Sequence, residues 1–316
     1  MSIAPQSFVV SAATWLPGLR RLSGRRTGGS VSARYCYSVW LRHLVIMRRS
    51  ELSSSFDTVV ELGPGDSLGV GLAALLCGTG RYLALDVVRY AERARNLQVF
   101  DELVALFRSR ADIPDESEFP RVQPRLATYA FPGEILTAER LDGALTPARV
   151  EAIRSAINLV PEGTSEAAMV SYQAPWHARS VAPESADLVL SQSVLEYSPD
   201  LPSLYAEMAR WLKPGGVMSH EIDFKSFGLT REWNGHWACP DMLWRFAVGN
   251  RRHRLNREPC SRHVALAEAA GCRVVSIERT RRPSDITRAQ VTARFQRLTD
   301  DDLTTSSALI QAIKSA

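Results

Sequence analysis

A glycine-rich turn lies between a short apolar strand and a helix early in the main body of the chain. Thr58–Leu62 is apolar and β-branched, Gly63–Asp66 forms the turn, and small apolar residues follow from Gly69. Such a turn lets a nucleotide approach the backbone, and an acidic residue at the end of the next strand suits a ribose diol. Asp86 ends that next strand. The arrangement predicts a binding site for a nucleotide-containing ligand.

Charges in the turn distinguish between two ligands of this kind. A dinucleotide fingerprint would have a third glycine where this chain has Leu68, and Pro64 removes an amide that could bind a pyrophosphate. Glu61 and Asp66 would repel that dianion. They would attract the ammonium and sulfonium of S-adenosylmethionine, at about 4 kcal/mol per unit-charge pair at roughly 4 Å and an effective dielectric of about 20. The alternative is that Asp66 only caps the helix and Glu61 is a solvated strand end.

The chain also resembles a family in four segments that occur in the family's order and spacing. They are VVELGPGDSLG at 59–69, ALD at 84–86, ADLVLSQSVLEY at 186–197 and LKPGG at 212–216. These segments resemble the motifs of class I S-adenosylmethionine-dependent methyltransferases, and LKPGG after a D-L-V-x-S strand is the most specific of them. The resemblance covers about 57–280, without an insertion at 89–167.

The resemblance implies roles for individual residues. Glu61 and the Gly63/Gly65 loop would hold the methionine end of the cofactor. Asp86 would bind both ribose hydroxyls, and Val87 would lie against the adenine. The backbone near Ser191 would contact the methionine amino group.

Two departures from the family pattern affect these expectations. The family often has an Asp-Ala pair after the third strand that reads the adenine amine, whereas this chain has Trp176-His177-Ala178. The family's Leu-Glu-His after the fourth strand is Leu195-Glu196-Tyr197 here, so an imidazole near the transferred methyl is missing.

Two side chains follow the fifth strand at the edge where the methyl acceptor should bind. His220 could accept a hydroxyl proton, a contribution of about 10²–10⁴-fold, and Asp223 could orient it or bind substrate. We therefore predict His220 and Asp223 as catalytic residues. The alternative is that His220 only caps the strand by hydrogen bonding.

Aromatic and basic residues cluster further along the chain, at 233–237, 244–245 and 251–257. The tryptophans could form a stacking wall for a sugar-like or acidic acceptor, or they could anchor a loop in the core with the arginines on a solvated face. The basic residues also raise RNA as an acceptor, but the chain shows no RNA-binding module and no Asn/Asp-Pro-Pro-aromatic tetrapeptide after the fourth strand. We therefore expect no nucleic-acid partner.

Alternating strands and helices predict the fold. Strands are expected at 58–62, 81–86, 168–172, 186–191, 217–222 and 271–277, and helices at 97–108, 147–157, 201–212 and 264–270. We predict a doubly wound, Rossmann-like α/β fold with a mostly parallel seven-stranded sheet and helices on both faces. A helical cap at 89–167 is inserted between strands 2 and 3. The predicted units are residues 1–55, a basic N-terminal extension with an amphipathic helix, and residues 56–316, the methyltransferase domain.

Positive charge is concentrated at the N-terminus. The net charge is +4, and residues 1–50 contain eight Arg but no Asp or Glu, so the main body is mildly acidic. The helix predicted at Arg34–Met47 could pack on the main domain, or it could contact an acidic lipid or substrate as a surface helix. A peripheral membrane contact through this basic segment is one possible partner interaction.

The five cysteines show neither a C-x-x-C pair nor zinc-site spacing, so we expect free thiols, no metal and a cytoplasmic location. The predicted function is methyl transfer from S-adenosylmethionine to a small-molecule or glycan-like acceptor, at oxygen. The alternatives are a non-catalytic binding or scaffold protein with this fold, an RNA methyltransferase and an NAD-dependent oxidoreductase.

Overall fold

The computed structural model describes Ile3 and residues 29–160, 168–250 and 254–315. In these ranges the helices are α1 (Ala33–Arg49), α2 (Gly69–Leu76), α3 (Arg93–Ser109), α4 (Ala138–Ala144), α5 (Pro147–Asn158), α6 (Leu201–Trp211), α7 (Asp241–Val248), α8 (Cys260–Ala269) and α9 (Asp300–Thr304). The strands are β1 (Thr58–Leu62), β2 (Arg81–Leu85), β3 (Val170–Gln173), β4 (Ala186–Gln192), β5 (Leu212–Asp223), β6 (Cys272–Arg281) and β7 (Thr305–Lys314). No helix in the described ranges is long and apolar enough to cross a membrane.

The strands form one seven-stranded sheet in the order β3-β2-β1-β4-β5-β7-β6. Strands β1 to β5 are parallel to their neighbours, while β7 runs antiparallel between β5 and β6. The predicted doubly wound, mostly parallel α/β fold is confirmed. The sequence analysis placed six of the strands but missed β7, whose residues it left in the C-terminal tail.

Alternate residues of each central strand enter two separate cores. Val59 joins the core on the face covered by α1, α2 and α3, whereas Val60 joins the core on the face covered by α6 and α8. We call these the first and second faces. On β5, Val217 belongs to the first face and Met218 to the second. This alternation fixes the face on which each polar residue near the strand ends lies.

Helix α1 is part of the first-face core. Its residues from Cys36 to Leu44 are all buried, including Arg42 and His43. The surface-helix alternative is therefore wrong, because the helix has too little free surface to lie on a lipid. The packed alternative is confirmed, and the division of the chain at residue 55 stays a prediction.

Arg42 connects α1 to the segment between α3 and α4. Its guanidinium donates to the carbonyl oxygens of Pro114 (3.0 Å) and Pro124 (2.5 Å), and it lies 5.0 Å from the Tyr129 ring centroid. The sequence suggests a solvated cation at this position. In the structure, two carbonyl oxygens and one aromatic ring contact the buried guanidinium. Arg42 therefore links two segments that are far apart in the sequence.

The helices inserted between β2 and β3 extend the first-face layer. Arg140 of α4 donates to the carbonyl oxygens of Ser54 (2.7 Å) and Cys77 (2.9 Å), and Arg149 of α5 donates to that of Thr79 (2.6 Å). Ser54 precedes β1 and Thr79 precedes β2. These contacts place α4 and the start of α5 at the amino ends of the strands, the end of the sheet opposite the glycine turn.

The LKPGG segment does not cap its helix in the predicted way. The glycines at the end of LKPGG predict a left-handed cap for the helix that precedes them. Helix α6 instead ends at Trp211, and Leu212 is already extended, so that prediction is wrong. The segment bulges between Ala186↔Leu212 and Leu188↔Val217, the pairs that join β4 to β5.

This bulge presents a lysine to the start of β1. Lys213 Nζ lies 2.8 Å from Asp187 Oδ1, and Asp187 Oδ2 accepts a hydrogen bond from the Thr58 backbone N–H at 2.7 Å. The bulge therefore ties together the amino ends of β4 and β1.

Replacing Arg42 should destabilise the fold. Arg42→Met keeps the aliphatic stem but removes the donor to the Pro124 carbonyl oxygen and one of the two donors to that of Pro114, which keeps the Ser38 hydroxyl. We therefore expect a loss of about 2–3 kcal/mol in the free energy of unfolding. Urea denaturation measures it. Arg48→Met, on an exposed turn of the same helix, is the control. Equal effects of the two substitutions would contradict a tying role for Arg42.

Candidate active site

The glycine turn is a tight loop at the carboxyl end of β1. Gly63 has φ +65° and Gly65 has φ +74°, and the Gly63 N–H donates to the Leu85 carbonyl oxygen at 2.7 Å. A Cβ on Gly63 would lie 2.5 Å from Val194 Cγ2, in the turn that follows β4. Only glycine satisfies both the positive φ and this close approach. The loop is therefore fixed between β2 and the β4 turn.

The segment leading into α1 holds the other side of this loop. Ser30 Oγ accepts from the Asp66 backbone N–H at 2.9 Å, and the Ser30 carbonyl oxygen accepts from the Ser67 hydroxyl. Asn96 Oδ1 of α3 accepts from the Leu68 N–H at 2.9 Å, where α2 has no side-chain cap of its own. The sequence analysis missed Ser30 and Asn96, because single polar residues distant in sequence give no local signal.

Asp86 lies at the carboxyl end of β2, facing the glycine turn. Its Oδ1 accepts from the Val87 N–H at 2.7 Å and its Oδ2 lies 3.4 Å from the Gly65 N–H. Burial raises its pKa, while these N–H groups act in the opposite direction. The adjacent Val87 side chain is 55% exposed. The structure thus places a carboxylate and an exposed apolar side chain side by side at the turn.

Glu61 lies on the first face, turned towards the core. Its Oε2 accepts from the Tyr82 hydroxyl at 2.5 Å, and only 3% of the residue is exposed. Burial raises the pKa of Glu61 to about 7, against the opposing effects of the Tyr82 and Gly71 hydrogen bonds. The alternative of a solvated strand end is therefore wrong. The partners of Glu61 belong to β2 and α2, so its carboxyl group links the elements on either side of the loop.

His220 and Ser191 lie on the second face, away from the strand ends. Ser191 Oγ is 2.9 Å from His220 Nδ1, and the His220 ring packs edge-on against Tyr205 at 6.3 Å. His220 is 1% exposed, and burial lowers its pKa to about 3. The alternation of β5 turns the His220 side chain into the second-face core, where its hydrogen bond to Ser191 matches the hydrogen-bonding alternative. The catalytic role of His220 stays a prediction.

Asp223 and Glu221 lie on the other face of β5, at its carboxyl end. Glu221 Oε2 accepts from Ser193 Oγ at 2.7 Å and from Gln192 Nε2 at 3.1 Å. Asp223 pairs with Lys225 at 2.8 Å. Burial and then the charge of Asp223 raise the pKa of Glu221 to about 8.

A third carboxyl group, that of Glu196, lies in the turn after β4, and this turn contacts β5. Glu196 is 3% exposed, and burial followed by the charges of Glu221 and Asp223 raises its pKa well above the ordinary value. We call Glu196, Glu221 and Asp223 the carboxyl triad. Of these three residues, only Asp223 was predicted as a site residue from the sequence. Glu196 lies in a family motif, and Glu221 lies within a predicted strand.

The turn after β4 joins the glycine loop to the triad. A Cβ on Gly63 would lie 2.5 Å from Val194 Cγ2, and the neighbouring Ser193 hydroxyl donates to Glu221 Oε2 at 2.7 Å. His43 of α1 reaches the same place, because its Nε2 lies 3.2 Å from Gln192 Oε1. The carboxyl ends of β1, β2, β4 and β5 thus form a single candidate site, with α1 contributing to its wall.

The aromatic cluster predicted as an acceptor wall is mainly core. Trp237 is fully buried and its Nε1 donates to the Arg257 carbonyl oxygen at 2.9 Å, while Trp233 Nε1 donates to that of Pro283 at 2.8 Å. Arg257 is 5% exposed and paired with Asp241. The loop-anchoring alternative is confirmed for the tryptophans, whereas residues 251–253 lie outside the described ranges.

Among the described residues, no group of three or more His, Cys, Asp or Glu has an arrangement that could hold a metal ion, and the five cysteines are free and buried. Most of the basic N-terminal segment lies outside the described residues, and its proposed membrane contact stays a prediction.

Comparisons with known proteins agree with the motifs. Residues 145–219 match the family model described as a methyltransferase domain. No curated protein matches the chain at a significant level.

Similar solved structures include a Haloferax volcanii protein in complex with the Trm112 methyltransferase activator (16% identity, 89% of this chain and 90% of that chain, TM-score 0.43). A second is phosphoethanolamine N-methyltransferase 2 of Haemonchus contortus with S-adenosylmethionine (14% identity, 88% of this chain and 53% of that chain, TM-score 0.43). A third is an S-adenosylmethionine-dependent methyltransferase from Mesorhizobium loti (16% identity, 88% of this chain and 98% of that chain, TM-score 0.40).

The sheet order, with its single antiparallel strand between β5 and β6, the glycine turn followed by Asp86, and the family match define the class of protein. Residues 145–219 therefore belong to a methyltransferase domain, within a sheet that has the Rossmann-like, mostly parallel topology predicted from the motifs. The buried carboxyl groups of Glu61 and Asp86, on either side of the glycine turn, suit a cationic cofactor such as S-adenosylmethionine.

The carboxyl groups of the site should make stability fall as pH rises. A carboxyl group with a raised pKa in the folded state keeps a proton that the unfolded chain has released, so its stabilising contribution is lost as pH rises towards the folded pKa. For Glu221 and Glu61, with folded pKa values of about 8 and 7, we expect a loss on the order of 1 kcal/mol per pH unit between pH 6.5 and 8.

Urea denaturation of the cofactor-free protein at several pH values measures this slope. The window starts at 6.5 because the buried histidines, whose pKa values are lowered from 6.5, give the opposite slope below it. Glu221→Gln should flatten the slope, while the exposed Glu134→Gln should leave it unchanged. An unaltered slope in Glu221→Gln would show that this carboxyl group is already ionised in the folded protein.

Proposed function

We propose that the enzyme transfers the methyl group of S-adenosylmethionine to a small molecule bound at the carboxyl ends of β4 and β5. The observation that carries the proposal is the position of Asp86 beside the glycine turn, with the carboxyl triad at the same edge of the sheet. Bound S-adenosylmethionine supplies an electrophilic methyl group on a sulfonium. The chain has to orient it and to present the acceptor in line.

The proposed cofactor contacts follow from the loop geometry. Gly63 and Gly65 allow the backbone to approach the methionine end, Asp86 accepts from the ribose hydroxyls, and the exposed Val87 covers the adenine. Because the Ser191 side chain lies on the second face, its contribution would come from backbone groups. We propose that Glu61, bonded to Tyr82, positions the loop and adds negative charge rather than contacting the cofactor.

Alignment of the reacting atoms is the main contribution that such a site makes. Holding donor and acceptor in line supplies about 7–11 kcal/mol of the barrier. The glycine turn is fixed by β2, by the β4 turn and by Ser30, so the loop is rigid before ligand binds. A rigid loop of this kind serves alignment well.

The expected oxygen acceptor depended on two features. His220 could have been the base, and one of the two alternatives for the tryptophans was a stacking wall for a sugar. Both side-chain sets lie in the core, so neither supports a hydroxyl or glycan acceptor. The acceptor must be inferred from the carboxyl triad instead.

Calorimetric titration with S-adenosylmethionine and S-adenosylhomocysteine tests the cofactor site. Asp86→Asn should weaken both by about tenfold or more, because the ribose hydroxyls lose a charged acceptor. The exposed Asp142→Asn, far from the turn on α4, is the matched control.

Unchanged affinity in Asp86→Asn would contradict the proposed ribose contact. Binding of a nicotinamide dinucleotide in place of S-adenosylmethionine would favour an oxidoreductase. Tight cofactor binding without turnover of any acceptor in a broad screen would favour the scaffold alternative.

A further inference from the structure

Glu196 is a buried carboxyl group without an adequate partner. Neither of its oxygens makes a hydrogen bond of normal geometry among the described residues, although the backbone N–H groups of Glu196 and Asp223 lie near enough to favour its charged form. The turn that carries it is held firmly, because Asn256 donates to the Leu195 carbonyl oxygen (2.7 Å) and to that of Ser198 (3.0 Å). The side chain is therefore fixed in an unfavourable place by the surrounding fold.

The nearest charged groups make this position still less favourable. The turn at Leu195–Tyr197 contacts β5, and the negative charges of Glu221 and Asp223 on that strand raise the pKa of the buried Glu196 further. Lys225 is the cation that pairs with Asp223, and its side chain is 33% exposed. Among the described residues, no basic side chain forms a salt bridge with Glu196 or Glu221, and burial this deep without a counter-charge is costly.

His43 does not supply the missing positive charge. Its Nε2 lies 3.2 Å from Gln192 Oε1, and Gln192 Nε2 in turn donates to Glu221, so His43 orients the triad through one side chain. Burial lowers the pKa of His43 to about 4, which leaves the ring neutral at physiological pH. Lys225 pairs with Asp223, but among the described residues Glu196 and Glu221 have no ion-pair partner of their own.

Two other carboxyl groups lie nearer to the glycine turn than the triad does. Asp86 and Glu61 lie at β1 and β2 beside the glycine turn, whereas the triad lies at β4 and β5. A second cation, bound on the β4–β5 side, would satisfy the triad. An organic ammonium provides that charge together with N–H donors for several carboxyl oxygens.

We propose that the methyl acceptor is an amine, bound as its ammonium ion by Glu196 and Glu221 and methylated at nitrogen. This inference rests on the proposed methyltransferase function. The charge of the bound ammonium favours the ionised form of Glu221, which releases its own proton to solvent when the amine binds. The ammonium then gives one proton to the Glu221 carboxylate, and the freed nitrogen lone pair attacks the methyl carbon. The carbon–sulfur bond breaks with its electrons on sulfur, which leaves S-adenosylhomocysteine and a methylated ammonium ion.

Thermal unfolding of the S-adenosylhomocysteine complex tests the proposal without a known substrate. The probes are methylammonium, ethanolammonium and benzylammonium chlorides, each compared with the corresponding alcohol and with sodium chloride at equal ionic strength. We expect at least one ammonium probe to raise Tm above both comparisons, and Glu196→Gln to abolish the difference. Glu134→Gln, an exposed glutamate on another part of the surface, should retain it.

Turnover with radiolabelled S-adenosylmethionine gives the second measurement. The amine of the stabilising pair should accept the methyl group, and Glu196→Gln should raise its KM about tenfold or more. Gln is neutral, so this variant is expected to fold at least as stably as the parent, and Glu221→Gln provides an independent check.

Three results would overturn the proposal. One is that no ammonium probe stabilises the complex beyond its alcohol, and another is that an alcohol is methylated in preference to its amine. The third is that Glu196→Gln weakens S-adenosylmethionine binding about tenfold, which would assign Glu196 to the cofactor's ammonium group. Failure of the parent protein to bind either cofactor form would instead refute the proposed function, so the two failures are distinguishable.

Discussion

Buried negative charge is the constraint on which the functional end of this molecule depends. Five carboxyl groups, Glu61, Asp86, Glu196, Glu221 and Asp223, lie within the carboxyl edge of the sheet, and burial raises the pKa of every one. Such groups are stable as anions only with hydrogen bonds or cations close by. Backbone N–H groups and hydroxyls donate some of the hydrogen bonds that these anions need. A positively charged ligand such as S-adenosylmethionine would stabilise them further.

The N-terminal helix is as much a part of the site as the sheet. Ser30, before α1, holds the glycine turn, and His43 reaches the triad through Gln192. Because α1 is also fixed by Arg42 to the segment after α3, the wall of the site is anchored far from the ligands. A helix that composition alone would place on a basic surface is instead structural support for the active site.

Several elements could be predicted because their signals are local. Strand β1, the glycine turn and α2 appear in the sequence as a β-branched run, two glycines and a small apolar run, and the structure places all three as expected. Strand β7 was missed because TSSALIQAIK has many small and polar residues, and its burial comes from pairing with β5 and β6. The left-handed cap predicted at LKPGG was wrong because strand pairing of Leu212 with Ala186 ends the helix first.

The sequence by itself determined the cofactor class. The glycines and carboxylates that favour a cationic nucleotide are neighbours along the chain or lie one strand apart. Tertiary structure alone decided what faces the methyl acceptor, because that depends on the face to which each strand residue turns. His220 and Glu221 are adjacent in sequence, but the two-residue period of β5 sends His220 into the core and Glu221 into the site. The chain of contacts from His43 through Gln192 to Glu221 likewise requires α1, β4 and β5 to meet in space, and no spacing in the sequence indicates it.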